Sequence, residues 1–281
     1  MGTVQAPYGF RPIRLLSGRE TGGAFPTELL PIKNNYATIL PNGSPVVLSA
    51  PASVGTVTGT SGTGTVATLT FSGAHGLVTG QVITVTTVVP TAFNGTFYIT
   101  SVPTTTTLTY TYAGGAYVSG TAAVTANGGF LNPPTDGGFN SLADNYIGVF
   151  VGATYTNPTN SQPQWDQWYP GNLNTPDNSI QGYVVTDPEA IYSVQAHYPN
   201  FDALSYIGYS FKHFVPSPAY TTGTKDSVLS LDAGVGSSGT GTAYPWKVVG
   251  ISQGPDNINA SGYVNVLVKA NPTLHIFERE N

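Results

Sequence analysis

Asp187 and Glu189 flank Pro188, and a pair of carboxylates is the equipment of glycosidic acid–base hydrolysis. The same residues also read as a turn. Pro188 holds its own φ and pushes Asp187 out of the α region, leaving the carboxylates solvated or capping. The turn reading outweighs the catalytic one, and the low carboxylate count of the chain argues against a polysaccharide-degrading enzyme. The four histidines, His75, His197, His213 and His275, stand at no ligand spacing on a plausible helix, which argues against zinc. Asp166 and Asp177 carry oxygen ligands suited to calcium, but no D-x-D-x-D spacing supports such a site. Neither a G-x-S-x-G elbow nor a G-x-x-x-x-G-K-[ST] loop is present, and the glycine-rich stretches 59–64 and 234–241 lack a following helix to form a phosphate cradle. With no cysteine there is no disulfide, thiol chemistry or Cys–zinc site. The expectation is a protein that is not an enzyme and uses no metal or cofactor.

The residues that do stand out are aromatic. Trp165, Trp168 and Tyr169 lie together in QWDQWYPGN. Trp and Tyr bury large areas at low entropic cost, which favours them at interface hot spots. They equally suit a sugar-binding cleft or the domain's own core, and all three readings stand. A second group sits in residues 1–25, an extended N-terminal arm. Pro7, Gly9, Pro12, Gly18, Gly22 and Gly23 break any helix there, while Tyr8, Phe10, Ile13, Leu15 and Leu16 are too apolar for a free tail. Such an arm lies either on its own domain or on a neighbouring subunit. Arg11, Arg14 and Arg19 form the only local basic cluster, with Glu20 beside it.

The elements that must position these residues are strands. Residues 146–195 hold two apolar alternating runs around the aromatic loop, and a strand over the first places Ile147, Val149 and Val151 on one face. In the second, Tyr183 and Val185 face one way and Val184 the other. Two short strands are expected within 26–51, with Asn34-Asn35 and Asn42-Gly43 as turns. From residue 52 to 127 charge vanishes and Thr, Val, Gly and Ser dominate. Strands are expected at 64–71, 81–89, 95–102, 106–112 and 116–125, with Asn94-Gly95 as a tight turn. Segment 196–225 is crowded with aromatic residues and holds one helical turn at most. Ser227 to Leu231, Lys247–Ile251 and Tyr263–Lys269 read as further strands. The whole predicts an all-β chain: a β-sandwich or barrel-like base domain from 26–51 and 128–281, with a smaller β-sandwich-like domain, 52–127, inserted at a loop.

Composition limits the partners. Charged residues make up 8% of the chain, against roughly 25% in ordinary soluble proteins. So little self-repulsion makes a free surface sticky, and an assembly that covers it is expected. The net charge of −5 argues against nucleic acid as a partner. Mean hydropathy of −0.01 and the lack of an apolar run of about 18 residues argue against a membrane span. No charged-then-apolar signal pattern opens the chain, so an intracellular origin is expected.

Several stretches carry a resemblance. The arm YGFRPIRLLSG, the run YIGVFVGATYTNP…QWYPGN, then QGYVVTDPEAIYSVQA and YPWKVVGISQGPDN…YVNVLVKANPTLH resemble the head decoration, or cement, proteins of tailed bacteriophages. The resemblance covers roughly residues 6–51 and 128–276. Within the insertion, FSGAHGLVTGQVITV…FNGTFYITSV…LTYTY is similar to a small β module of phage structural proteins that often projects from the particle. The resemblance implies a protein made in the host bacterial cytoplasm that ends on the outer surface of the virion, bound to the major capsid protein lattice. It implies no catalytic residues. Symmetry on such a lattice points to a homotrimer, with a dimer as the alternative. The expected capsid or subunit contacts are Tyr8, Phe10, Arg11, Ile13 and Arg14 of the arm and Trp165, Trp168 and Tyr169 of the loop. The alternative function is a tail-fibre or adhesin component that binds host glycan through the insertion tip, Pro90–Asn94, or through the Trp loop.

Overall fold

A computed structural model describes residues 5–16, 25–89, 91–114, 121–133, 146–173, 179–214, 230–232, 238–239, 244–254 and 256–272. These residues hold one 3-10 turn, Thr91–Phe93, and no α-helix; the rest of the regular structure is β. In chain order the strands are β1 (Arg11–Leu15), β2 (Glu28–Pro31), β3 (Ser44–Leu48), β4 (Ala52–Ser53), β5 (Val57–Thr63), β6 (Val66–Phe71), β7 (Val82–Thr86), β8 (Gly95–Thr104), β9 (Thr107–Thr111), β10 (Ala123–Ala126), β11 (Leu131–Asn132), β12 (Tyr146–Thr156), β13 (Pro163–Asp166), β14 (Gln181–Val185), β15 (Ala190–Gln195), β16 (Ser210–Phe214), β17 (Ser230–Asp232), β18 (Ser238–Gly239), β19 (Trp246–Ile251) and β20 (Asn265–Ala270). The all-β, sandwich or barrel-like expectation holds, with curled sheets that form a half-barrel. No helix among the described residues is long and apolar enough to cross a membrane.

Two sheets form the base. The first runs β1-β15-β20-β19-β16-β17, and the other runs β11-β3-β12-β14-β2 with β13 beside β12. Alternation builds the first: Val266, Val268 and Ala270 are buried in the core while Asn265, Leu267 and Lys269 between them are half-buried. The core between the sheets joins these residues to Tyr146, Val149 and Val185 of the other sheet. Asp187-Pro188 is the corner where the chain passes from one sheet, at β14, to the other, at β15.

β12 departs from the simple alternation that its sequence predicts. Ile147 and Val149 do not share a face: Ile147 joins Phe150 and Val184 in a separate core on the far side, while Val149 faces the first sheet. The cause is a register shift between Tyr146 and Gly148 in the pairing with β3. A bulge inserts a residue and reverses the facing of everything beyond it. Gly148 is the residue that allows it, because a Cβ there would lie 2.1 Å from the Val185 carbonyl oxygen. On β14, Val184 and Val185 do fall in opposite cores.

The strands between Ala52 and Ala126 pair only with one another, in the order β4-β10-β7-β8-β9-β6-β5. The chain leaves from β3 and returns as β11, and these two strands are antiparallel neighbours, Leu48 opposite Leu131. Entry and exit therefore lie side by side at one edge of the base sheet, which continues from β3 to β12. Ile83, Val85, Leu69, Leu108 and Tyr110 fill the module's own core. The outward positions of the same strands carry Thr68, Thr70, Thr84, Thr107 and Thr109, which satisfies β-propensity without charge.

A pair of buried amides ties the module to the base. Asn34 donates from Nδ2 to the Thr79 carbonyl at 2.5 Å, and Gln81 donates from Nε2 to the Asn34 carbonyl at 3.3 Å. Both side chains are nearly fully buried.

Three local expectations change. Asn94-Gly95 is not a two-residue hairpin turn: eight residues separate β7 from β8, and Asn94 closes the loop by bonding the Val88 N–H and carbonyl, each at 2.9 Å. Residues 37–40 form no strand, only an isolated bridge from Leu40 to Tyr169. β5 was not expected, since its glycines at 59 and 62 interrupt the alternation. Residues 116–120 and 227–229 of two expected strands, and most of 234–242, lie outside the described residues.

Candidate interaction surface

The arm lies on its own domain. β1 pairs antiparallel with β15, Arg11 opposite Ser193 and Leu15 opposite Ala190, and forms the outer strand of the first sheet. The approach is fixed upstream as well. The Gln195 side-chain oxygen accepts the Ala6 N–H at 2.7 Å, and the Tyr8 hydroxyl meets the Ser193 hydroxyl at 2.7 Å. The Phe10 N–H donates to the Gly43 carbonyl at 2.8 Å. Gly43 has φ of +83°, and a Cβ there would crowd the Phe10 backbone at 3.2 Å, so glycine suits both the turn and the crossing.

Phe10 is the anchor. It is fully buried and stacks on Trp246, with ring centroids 4.1 Å apart and planes at 26°. Tyr146 and Tyr192 meet the same indole edge-on at 5.1 and 5.7 Å. Phe10 is therefore a core residue, and the expectation that it contacts capsid or subunit is corrected. Trp246 went unnoticed in the sequence. Its signal is period-two alternation: in Trp246-Lys247-Val248 the indole takes the same side as Val248.

What the arm exposes is the remainder. Residue 13 has no partner in the β1–β15 register, which shifts between Pro12 and Arg14. The bulged Ile13 stands 46% exposed and Leu16, just past the strand, 49%. Arg11 and Arg14 are also exposed, and the Arg11 guanidinium sits 4.8 Å above the half-buried Tyr8 ring. Arg19 and the segment 17–24 lie outside the described residues.

The Trp loop divides in the same way. Tyr169 is fully buried in the second core: its backbone pairs with Leu40, its hydroxyl donates to the Tyr36 carbonyl at 3.0 Å, and burial pushes its phenol up to about 12. It belongs to the chain's own packing, which corrects its assignment as a contact residue. Trp168 is half-buried. Trp165, on β13 opposite Thr154, is 54% exposed. Its ring lies against Gly152, where a Cβ would come within 3.2 Å of it. Beside it the Asp166 carboxylate accepts from the Tyr155 hydroxyl at 2.5 Å and from Gln164 Nε2 at 2.7 Å. The exposed remainder of the expected contact set is thus Arg11, Ile13, Arg14 and Trp165, with Tyr8 and Trp168 half-buried.

Asp187 Oδ1 accepts the Glu189 N–H at 2.8 Å, a capped turn. With Glu28, Asp187 borders a shallow notch between Pro26 and Pro188. Among the described residues no three His, Asp or Glu side chains gather as a metal site; Asp177 and His275 lie outside them. His213 is buried on the core side of β16, and desolvation lowers its imidazole to about 3. At the insertion tip Phe93 is buried against Tyr112, ring centroids 4.1 Å apart, and its carbonyl takes the Tyr110 hydroxyl, while Thr91 and Ala92 are exposed. Pro90 is outside the described residues.

No family model, no curated protein and no solved structure matches the chain.

Proposed function

We propose that the chain is a virion structural protein that binds the outside of an assembled major capsid protein lattice and stabilises the head. The observation that carries this reading is the clamped arm. Because Phe10 is locked against Trp246, the apolar Ile13 and Leu16 are held out on a rigid outer strand, where contact costs little ordering entropy. The scarcity of charge fits a surface that spends its life covered. Stabilisation follows from mass action, since a ligand that binds only the mature lattice lowers its free energy. The test is copy number in purified particles, by quantitative mass spectrometry against the major capsid protein. One copy per capsid subunit, or a simple fraction, is expected. Absence from particles overturns the reading.

A tail-fibre or adhesin component that binds host glycan is the second reading. Trp165 favours it: a half-exposed indole flanked by Gln164 and Asp166 offers a stacking face beside polar groups. A handful of copies per particle, with binding on a glycan array that Trp165→Ala abolishes, replaces the first reading with this one.

A further inference from the structure

The basic residues of this acidic chain converge on one sheet face. Across the ladders of the first sheet, Arg14 stands opposite Ile191, Ile191 opposite Lys269, Lys269 opposite Lys247, and Lys247 opposite Ser210. Directly opposed residues project to the same face of a sheet. Lys212 is two positions beyond Ser210 and takes that face too. The bulge at Ile13 adds Arg11, opposite Ser193, because Ser193 and Ile191 are two apart on β15. The reverse face is the core, lined by Leu15, Tyr192, Val248, Val268 and Phe211.

Five of the nine Lys and Arg of the whole chain therefore share one side of five adjacent strands. Opposed Cα atoms lie about 4.5–5.5 Å apart, so the row from Arg14 to Lys247 spans roughly 14 Å. Asp232, opposite Lys212 at the far end, is the only acid in the six strands of this sheet path. Asp187 and Glu189 lie in the turn at the other end, where the Leu16 N–H meets the Glu189 carbonyl. Lys247 opposite Lys269 is a like-charge pair, which costs stability in a sheet. A chain with so few cations that sets two of them face to face has a placement that an external anion relieves.

We infer that this cationic row docks the acidic surface of a second copy of the same chain. Gathering five cations on one face leaves four others against the fourteen acids of the sequence, so the remainder of a second copy carries a net negative charge that complements the row. Row against row repels, so the contact is heterologous, the kind that closes into a ring when the rotation allows. A long polyanion such as nucleic acid meets the same acidic remainder and is disfavoured. The inference does not depend on the virion reading, since it rests on the charge distribution of the chain alone.

The test is sedimentation velocity of the full-length chain at two salt concentrations, with Lys247→Glu/Lys269→Glu alongside. Screening shortens from about 10 Å at 0.1 M salt to about 3 Å at 1 M. Association at the lower salt that weakens at least about tenfold at the higher, and that the double variant abolishes, is the expected result. A wild type that stays monomeric, or an oligomer indifferent to both salt and charge reversal, overturns it. Tighter binding of the wild type to a short random-sequence DNA duplex than to itself overturns it in favour of nucleic acid. If the double variant fails to fold, judged by circular dichroism, the salt dependence of the wild type still decides.

Discussion

The ring of Phe10, near the start of the chain, stacks on that of Trp246, near its end, at 4.1 Å between centroids. The contact joins the arm to β19 across the sandwich core, and it turns an apparent tail into part of the fold. It also changes how the arm is tested. Deleting residues 1–20 removes Phe10, Leu15 and the whole of β1, so a loss of attachment after that deletion reports on folding as much as on contact.

Phe10→Ala removes a fully buried ring and leaves a cavity beside Trp246. The expected cost is about 3–5 kcal/mol, read from urea denaturation. Amide exchange across Arg11–Leu15 accelerates in the same variant if the stack holds the strand down. Unchanged exchange there means that the β1–β15 ladder is sufficient by itself.

Ile13→Asp and Trp165→Ala separate contact from stability. Both side chains are about half exposed, so each substitution is expected to shift stability by less than about 1 kcal/mol. Loss of attachment to purified, decoration-free capsids at unchanged melting temperature assigns the residue to the interface. Full attachment by both variants removes this surface from the proposal.

His213 makes stability fall in acid. Its folded-state value, about 3, lies below the ordinary 6.5 because burial disfavours the charged ring. Below about pH 6.5 the unfolded chain takes up a proton that the native chain refuses, so stability present above that pH is lost towards pH 3. Between pH 7 and pH 5 the loss is roughly 2 kcal/mol. His213→Leu flattens this part of the pH profile, as measured by denaturation midpoints at both pH values. An equally steep profile in that variant shifts the cause to another group, with His197, also lowered by burial, next in line.

Asn34→Ala leaves the Thr79 carbonyl without its buried donor, and Gln81→Ala leaves the Asn34 carbonyl without a donor and the Val78 N–H without its acceptor. Each is expected to cost about 1–3 kcal/mol. The distinctive readout is limited proteolysis at the junctions near Ser49 and Asn127, which quickens in both variants. Cleavage at wild-type rates means that the paired strands of the junction hold the module alone.

Gly148→Ala places a methyl group 2.1 Å from the Val185 carbonyl oxygen and 2.8 Å from the Val184 side chain, and the backbone oxygen cannot swing aside as a flexible side chain would. Destabilisation of about 3 kcal/mol is expected. A neutral outcome in thermal unfolding rules out the tight β12–β14 crossing.

Much of the fold was legible. Thr alternates with Leu108 and Tyr110 over Thr107–Thr111, and Val82, Thr84 and Thr86 alternate with Ile83 and Val85 over Val82–Thr86; both strands form within a few residues of where the pattern puts them. The apolar pair Val184 and Val185 points to opposite cores, as period-two geometry requires. The candidate site was legible only as residue types. Aromatic character alone does not distinguish Trp165, which is exposed, from Tyr169, which is buried, four positions away. Burial depends on which loop covers which sheet face, here Leu40 and Tyr36 over Tyr169.

By itself the sequence determined that the chain is β, charge-poor and without cysteine chemistry, because those properties follow from side-chain shape and composition. Tertiary structure decided the rest through register. Whether Ile147 faces with Val149 was decided by a bulge at Gly148. Whether Arg14, Lys269 and Lys247 stand in one row was decided by ladders joining distant strands. Register is set by how two buried faces interlock, and a shift of one residue sends every side chain to the other side.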